Sequence, residues 1–270
     1  MCNFASFFIH RETLDLAAAG LVHHELDAPL CGIRREDADC PWSECEWTAD
    51  DSGASLVVRT ADDSGDSLKR HILGMHPTRQ SFLREAVAIA GRRGIHHVFT
   101  QSNADALALP AGSRDAIIVW ADGAIVLPQV CSAGSIYAGS ATSLSLPALT
   151  TCAGSICAGA AKSLSLPALQ TCGDIDARAA TSLSLPALQT CVDICAGAAT
   201  SLSLPALQTS GSIYARAATS LSLPALQTSG SIYAGAAKSL SLPALQTCGD
   251  IDARAATIRD ATDYAAKKII

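Results

Sequence analysis

The stretch SLSLPALQTCGDIDARAAT, residues 163–181, decides the fold, because close copies of it fill the chain from residue 124 to residue 257. Landmark prolines stand at Pro128, Pro147, Pro167, Pro186, Pro205, Pro224 and Pro243, and six of the seven units are 19 residues long. The second has one extra residue near TTCAGS, which is read as a bulge or a longer turn. Self-similarity at a fixed short period is the mark of a stacked array.

Within a unit, SLSL alternates with period two, so leucines face one side and serines the other. Proline stops the strand because it has no N–H for a ladder. Glycine is read as a second turn, and DIDARA alternates again with Ile and Ala inward. Each unit is thus one coil of two short strands and two turns. A single coil cannot bury its apolar side, but seven stacked coils can. The expected buried columns are Leu144, Leu164, Leu183, Leu202, Leu221 and Leu240; Leu146 through Leu242 beside Pro; and Ile136 through Ile251. At ~4.8 Å per rung the array is roughly 30 Å long.

Outward positions vary where inward ones do not. One column is Tyr137, Cys157, Asp176, Cys195, Tyr214, Tyr233 and Asp252; its neighbour is Gly139, Gly159, Arg178, Gly197, Arg216, Gly235 and Arg254. Tyr, Asp and Arg suit recognition. The candidate binding face is therefore Tyr137, Asp176, Arg178, Tyr214, Arg216, Tyr233, Asp252 and Arg254. Tandem duplication with drift at solvated positions gives the same variation without a partner. Cys152, Cys172, Cys191 and Cys248 share a column with Ser210 and Ser229, an exchange that favours a small-residue stack over a metal ladder. Ser-x-Ser pairs such as Ser163/Ser165 make a flat hydroxyl ladder, but an ice-binding array usually employs Thr. The paired acids of GDIDAR occur only in the third and seventh coils and are read as a solvated face rather than a calcium site.

The run LSLPALQTCGSIYAGAATSLSLPAL, pieced together from neighbouring units, resembles the leucine-rich repeats of bacterial surface proteins of the treponemal type. That pattern alternates "LP" segments with "IG..AF.GC.SL" at a somewhat longer period. The likeness covers about half the chain, and the array departs from it in unit length and in lacking the Phe. It implies binding by an extended surface and no catalysis.

The acidic balance is uneven. Residues 1–123 carry 18 Asp/Glu and 11 Lys/Arg, and 124–270 carry 7 and 8, for a net charge of −6. This offers no general attraction for phosphates. Aromatic residues are only 4%, which suits thin stacked layers better than a large globular core. The start MCNFASFFIHRE has no basic n-region, so no signal peptide is expected. No apolar run reaches the ~18 residues of a spanning helix, and no membrane association is expected. The 11 cysteines then fit a reducing, cytoplasmic setting, where they bind metal or pack as small apolar groups.

One such metal site is suggested near the start. CPWSECEW holds Cys40 and Cys45, and SLKRHILGMHP holds His71 and His76, with 25 residues between Cys45 and His71. Residues 48–59 and 60–71 are tandem copies built on TADDSG, and removing one leaves 13. The spacing then resembles a Cys2His2 zinc finger with a duplicated loop. Leu68 stands where this finger type places its helix-packing residue, and Pro77 ends the helix. The first copy has Arg59 in place of His71, so the second copy closes the site and 48–59 is the insert. The resemblance implies Zn²⁺ held by Cys40, Cys45, His71 and His76. It also places base-reading positions near Ser64, Ser67 and Arg70, with Lys69 adding charge. Five aspartates in the loop oppose nucleic-acid binding. Cys31, His23 and His24 are spare ligands.

Residues 78–123 are expected to connect and cap: a helix over TRQSFLREAVAIAGRR (78–93), a strand at IHHVF (95–99), and a hairpin in DAIIVWADGAIVL turning at Asp122-Gly123. Residues 258–270 are expected to cap the far end. The fold class is therefore mainly β: a seven-coil β-solenoid over 124–257, leucine-rich-repeat-like with a 19-residue period. A small α+β region precedes it, with segment 1–39 and a zinc-finger-like module at 40–77. There is no phosphate loop or nucleophile elbow. His23-His24 and His96-His97 are weak grounds for acid–base chemistry, and no small-molecule substrate is evident. The expectation is a non-enzymatic protein-binding scaffold with a zinc module. The alternatives are a nucleic-acid-binding finger protein with a solenoid spacer, or a purely structural repeat.

Overall fold

The structure, a computed structural model, describes residues 5–10, 16–17, 42–50, 53–59, 70, 73, 91, 94–255 and 257–261. They fall into two compact units, Met1–His96 and His97–Ile270. In the first, β1 (Ala5–His10), β2 (Leu16–Ala17), β3 (Trp42–Asp50) and β4 (Gly53–Arg59) form an antiparallel sheet in the order β2-β1-β3-β4. Of the first copy of the duplicated stretch, residues 48–50 are the end of β3 and 53–59 are the whole of β4, the two paired antiparallel. The expected helix over 78–93 lies outside the described residues apart from Gly91.

The strand at IHHVF is borne out as β5 (Ile95–Val98), and a short helix follows, α1 (Gln101–Ala106), capped by the Thr100 hydroxyl accepting from the Asn103 N–H. Next come β6 (Ala108–Leu109), β7 (Ala116–Val119), β8 (Ala124–Val126), β9 (Gln129–Val130), β10 (Ser132–Ala133), β11 (Ser135–Tyr137) and β12 (Ser143–Ser145). The array continues through β13 (Thr151–Cys152), β14 (Ile156–Cys157), β15 (Ser163–Ser165), β16 (Thr171–Asp176), β17 (Ser182–Ser184), β18 (Thr190–Cys195) and β19 (Ser201–Ser203). It closes with β20 (Thr209–Tyr214), β21 (Ser220–Ser222), β22 (Thr228–Tyr233), β23 (Ser239–Leu242), β24 (Thr247–Cys248), β25 (Ile251–Asp252) and β26 (Thr257–Ala261).

Two faces result, both parallel and in register. One is a long sheet of 12 strands built mainly from the TCGDID-type segments. The other, the serine face, carries the SLS strands in two four-stranded sheets, β17-β15-β12-β8 and β19-β21-β23-β26. The corners are β-turns. In Leu-Pro-Ala-Leu the last N–H donates to the first carbonyl, as Leu169 does to Leu166 at 3.3 Å. Proline sits at the second turn position, where its fixed φ is preset and no N–H is wanted. At the opposite corner Ala180 donates to Ala177 at 3.0 Å.

Three expectations are corrected. Glycine is not a turn: Gly173 lies inside the six-residue β16, where two residues instead of one separate the inward Cys172 and Ile175, and the strand bends. The apparent hairpin at Asp122-Gly123 is a coil corner, because β7 pairs in parallel with β11 and β8 in parallel with β12, one coil on. Residues 107–123 are accordingly a coil themselves, giving about eight turns and not seven. The extra residue of the second unit does form an irregularity: Cys152 is 19 residues from Ala133, but Ile156 is 20 from Ile136. At the far end β26 adds a further parallel strand beside β23, with a register shift between Leu240 and Leu242; residues 262–270 lie outside the described ones.

The columns of Leu, Ile and Ala are almost wholly buried, and Leu183 alone of the expected columns is only partly so. Leu204, which is 0% exposed, illustrates what they are worth. Its replacement by Ala is expected to cost ~2–5 kcal/mol. Ser203→Ala on the exposed side should stay within about 0.5 kcal/mol, and urea denaturation of the two variants compares them.

Candidate interaction face on the long sheet

The outward column of the long sheet follows from register. Parallel pairing sets Tyr137 beside Cys157, then Asp176, Cys195, Tyr214, Tyr233 and Asp252, all partly exposed. Side chains one rung apart are ~4.8 Å apart, which brings neighbours in the column within reach of one another. Tyr214 and Tyr233 stack with ring centroids 5.0 Å apart and planes 7° from parallel.

The neighbouring arginines behave in two ways. Arg178 grips the carboxylate of Asp176 with both prongs, Nε to Oδ1 at 2.8 Å and Nη2 to Oδ2 at 2.7 Å. Arg254, two residues after Asp252, makes a looser single approach, Nε to Oδ1 at 3.2 Å. Arg216 follows Tyr214 instead of an aspartate, is exposed, and among the described residues has no ion pair. The guanidinium of Arg178 holds the Asp176 carboxyl below its usual range, against a smaller opposing effect of burial. Burial, reinforced by that carboxylate, pushes the flanking thiols of Cys157 and Cys195 up, so both are protonated at neutral pH. A second polar line runs beside the first: the Ser155 hydroxyl reaches Asp174 at 3.3 Å, and the Ser212 N–H donates to Asp193 at 2.7 Å.

Inward of this face, the Cys/Ser column has a bonding role that packing alone does not describe. The Cys191 thiol reaches the carbonyls of Gly173 and Asp193 at 3.1 and 3.3 Å, and the Ser229 hydroxyl those of Gly211 and Ser231 at 3.3 and 3.4 Å. Either group donates to carbonyls at the bend, which explains why the two residue types interchange. Cys172, with a thiol on each side and little solvent, is pushed well up. Among the described residues no three His, Cys, Asp or Glu side chains are placed to hold a metal ion.

Backbone approach at the bend is very close. A Cβ on Gly173 would come 2.6 Å from the Gly154 carbonyl oxygen, and one on Gly230 2.5 Å from that of Gly211. The coil 182–200 carries Val192 in this column, with the side chain 58% exposed.

Compared with protein-family models, with curated proteins and with solved structures, the chain matches none.

Of the eight proposed binding residues, Tyr137, Asp176, Tyr214, Tyr233 and Asp252 line one outward column of the long sheet, and Arg178, Arg216 and Arg254 stand in the corner turns that follow it. Of the proposed zinc ligands, Cys45 lies mid-strand in β3 between Phe7 and Val58. Cys40, His71 and His76 lie outside the described residues, as do the spare ligands Cys31, His23 and His24. Ser64, Ser67 and Lys69 do so too, while Arg70 is helical and exposed. One group went unrecognised in the sequence. His97, Phe99 and Trp120 stack at the first end of the long sheet, with centroids 6.2 to 6.3 Å apart and the Trp120 Nε1 donating to His97 Nδ1 at 3.1 Å.

The Asp176–Arg178 pair is exposed on the arginine side, so solvent screens it and its contribution to stability is small. Because the folded-state pKa of Asp176 is depressed, the contribution is present above the unfolded value of about 3.9 and is lost as pH falls through the folded one. Asp176→Asn is therefore expected to be slightly less stable than the wild type at pH 7. The gap should close in acid, as denaturation midpoints measured across pH would reveal.

Proposed function

We propose that the chain is a non-enzymatic interaction protein that presents the outward side of the long sheet to a protein partner. The observation that carries this is the contrast between columns: inward Leu, Ile and Ala repeat coil after coil, while the outward column sets Tyr, Cys and Asp in line with Arg beside them. The paired sheet holds the Tyr, Cys and Asp of the column, and tight hydrogen-bonded turns hold the Arg beside them, without the entropic cost of ordering a loop on binding. The Tyr214–Tyr233 stack and the adjacent Arg216 supply the residue types that dominate binding energy at protein interfaces.

A protein partner is favoured over nucleic acid by charge. The stretch 124–270 carries 7 acidic and 8 basic residues, and Arg178 and Arg254 are already neutralised by aspartates. Binding energy measured with the captured partner tests this. The variant Tyr214→Ser/Arg216→Ala/Tyr233→Ser is expected to weaken binding at least ~10-fold, and Ser163→Ala/Ser165→Ala on the opposite face to leave it unchanged. Equal binding by both variants would remove the long sheet from consideration and leave a purely structural array.

The proposed zinc module rests on the Cys/His spacing, with Cys40, Cys45, His71 and His76 as the structural ligand set. Bound there, Zn²⁺ would supply folding energy and no chemistry. Elemental mass spectrometry of the untagged chain is expected to find one zinc that is lost in Cys45→Ser and His71→Ala and kept in Arg59→Ala. A zinc-free wild type would retire the site. With it would go the second possibility, nucleic-acid docking through Ser64, Ser67, Lys69 and Arg70.

A further inference from the structure

One junction between coils differs from the rest. On the serine face the ladder runs through β17 and resumes at β19, and these two neighbours are not paired. Across other junctions, Leu127, Leu146, Leu166, Leu204 and Leu223 each donate to a serine carbonyl of the next coil, at 2.9 to 3.1 Å. Among the described residues Leu185 makes no such bond to Ser203, nor does the Thr200 N–H reach Thr181, although Thr181 and Thr219 make the corresponding bonds at 3.0 and 2.8 Å.

Burial agrees with the missing bonds. Leu183 is partly exposed, while Leu164, Leu202 and Leu221 in the same column are each 1% exposed. Ser182, Ser184, Ser201 and Ser203, the four serines along this junction, are all exposed, whereas both serines of β12, β15 and β23 are partly covered and β21 has one of each, Ser220 exposed and Ser222 partly covered. The opposite side is intact. β18 and β20 pair over five positions, Gln208 donates to Gln189 and Ala196 to Tyr214, both at 2.8 Å.

We propose that the solenoid opens along the serine face between coils 182–200 and 201–219, pivoting on the continuous β18–β20 pairing of the long sheet. Stability in a stacked array is a sum of coil and junction contributions, so the junction that lacks its serine-face bonds and holds the partly exposed leucine opens first. The unpaired backbone of β17 and β19 is left to water, which lowers the cost of parting them. The pivot lies under the step from Cys195 to Tyr214, so opening changes the angle between the Asp176–Arg178 pair and the tyrosine stack while keeping each intact. The array is then two rigid blocks and a hinge.

Amide hydrogen exchange resolved to single residues by NMR on the intact chain tests this without any substitution. Leu185 and Thr200 are expected to exchange ~10-fold or more faster than Leu166, Leu204 and Thr219, while Ala196 and Gln208 stay as slow as the amides of other long-sheet junctions. Leu185 and Thr200 protected as well as their counterparts would mean a closed junction. Ala196 and Gln208 exchanging as fast as Leu185 would mean that the coils part on both sides. Either result overturns the hinge.

Discussion

Everything in the repeat half depends on each coil returning to the same place above the one before it, so that the backbone pairs in parallel and in register. The 19-residue circumference meets that demand. The Leu-Pro-Ala-Leu turn closes one corner and the Ala-rich turn the other, and between them each inward side chain falls over its counterpart. Alignment is what makes the columns. It buries Leu on Leu and Ile on Ile, and it also forces outward residues into lines, whether or not their chemistry benefits. Slippage by one residue would reverse every side chain at once, which is why the register is so strongly held.

The extra residue of the second coil shows how a departure is absorbed. The pairing offset changes from 19 to 20 between Cys152 and Ile156, and the strand is broken there into β13 and β14. Both sides then return to register, so the insertion stays local. The bend around Gly173 and Gly230 works the other way: the coils approach too closely for a Cβ, and the Cys or Ser beside the glycine donates to the carbonyls exposed by the bend.

Period two and the spacing of the prolines make the leucine and isoleucine columns legible in the sequence alone, along with the outward line from Tyr137 to Asp252. Other features were hidden for physical reasons. Alternation alone does not distinguish a hairpin from a corner, so AIIVWADGAIV suited both; the deciding clue was Ile117 standing 19 residues before Ile136. Glycine signals a turn by its conformational freedom, but at Gly173 what matters is its lack of a side chain. Leu183 has the same neighbours in sequence as Leu202, and only the pairing of the coils shows that one is covered and the other is not. The grip of Arg178 on Asp176 was equally invisible, because two outward residues of opposite charge at that spacing can also point apart.

Near-identical upper and lower surfaces have a consequence for inheritance. Apart from the junction of β17 and β19, a coil fits on its neighbour through the same kinds of contact throughout, so the stack carries no internal count. A coding sequence that gains or loses one whole unit, as tandem repeats do when strands misalign during copying, yields a longer or shorter stack with its core and register intact. A gain of any other length has to be taken up within its own coil, as the single extra residue of the second coil is. The outward column is altered in the same event, since a new coil brings its own tyrosine, aspartate or cysteine to the line. Variation of the surface and conservation of the architecture thus arise from a single kind of genetic change.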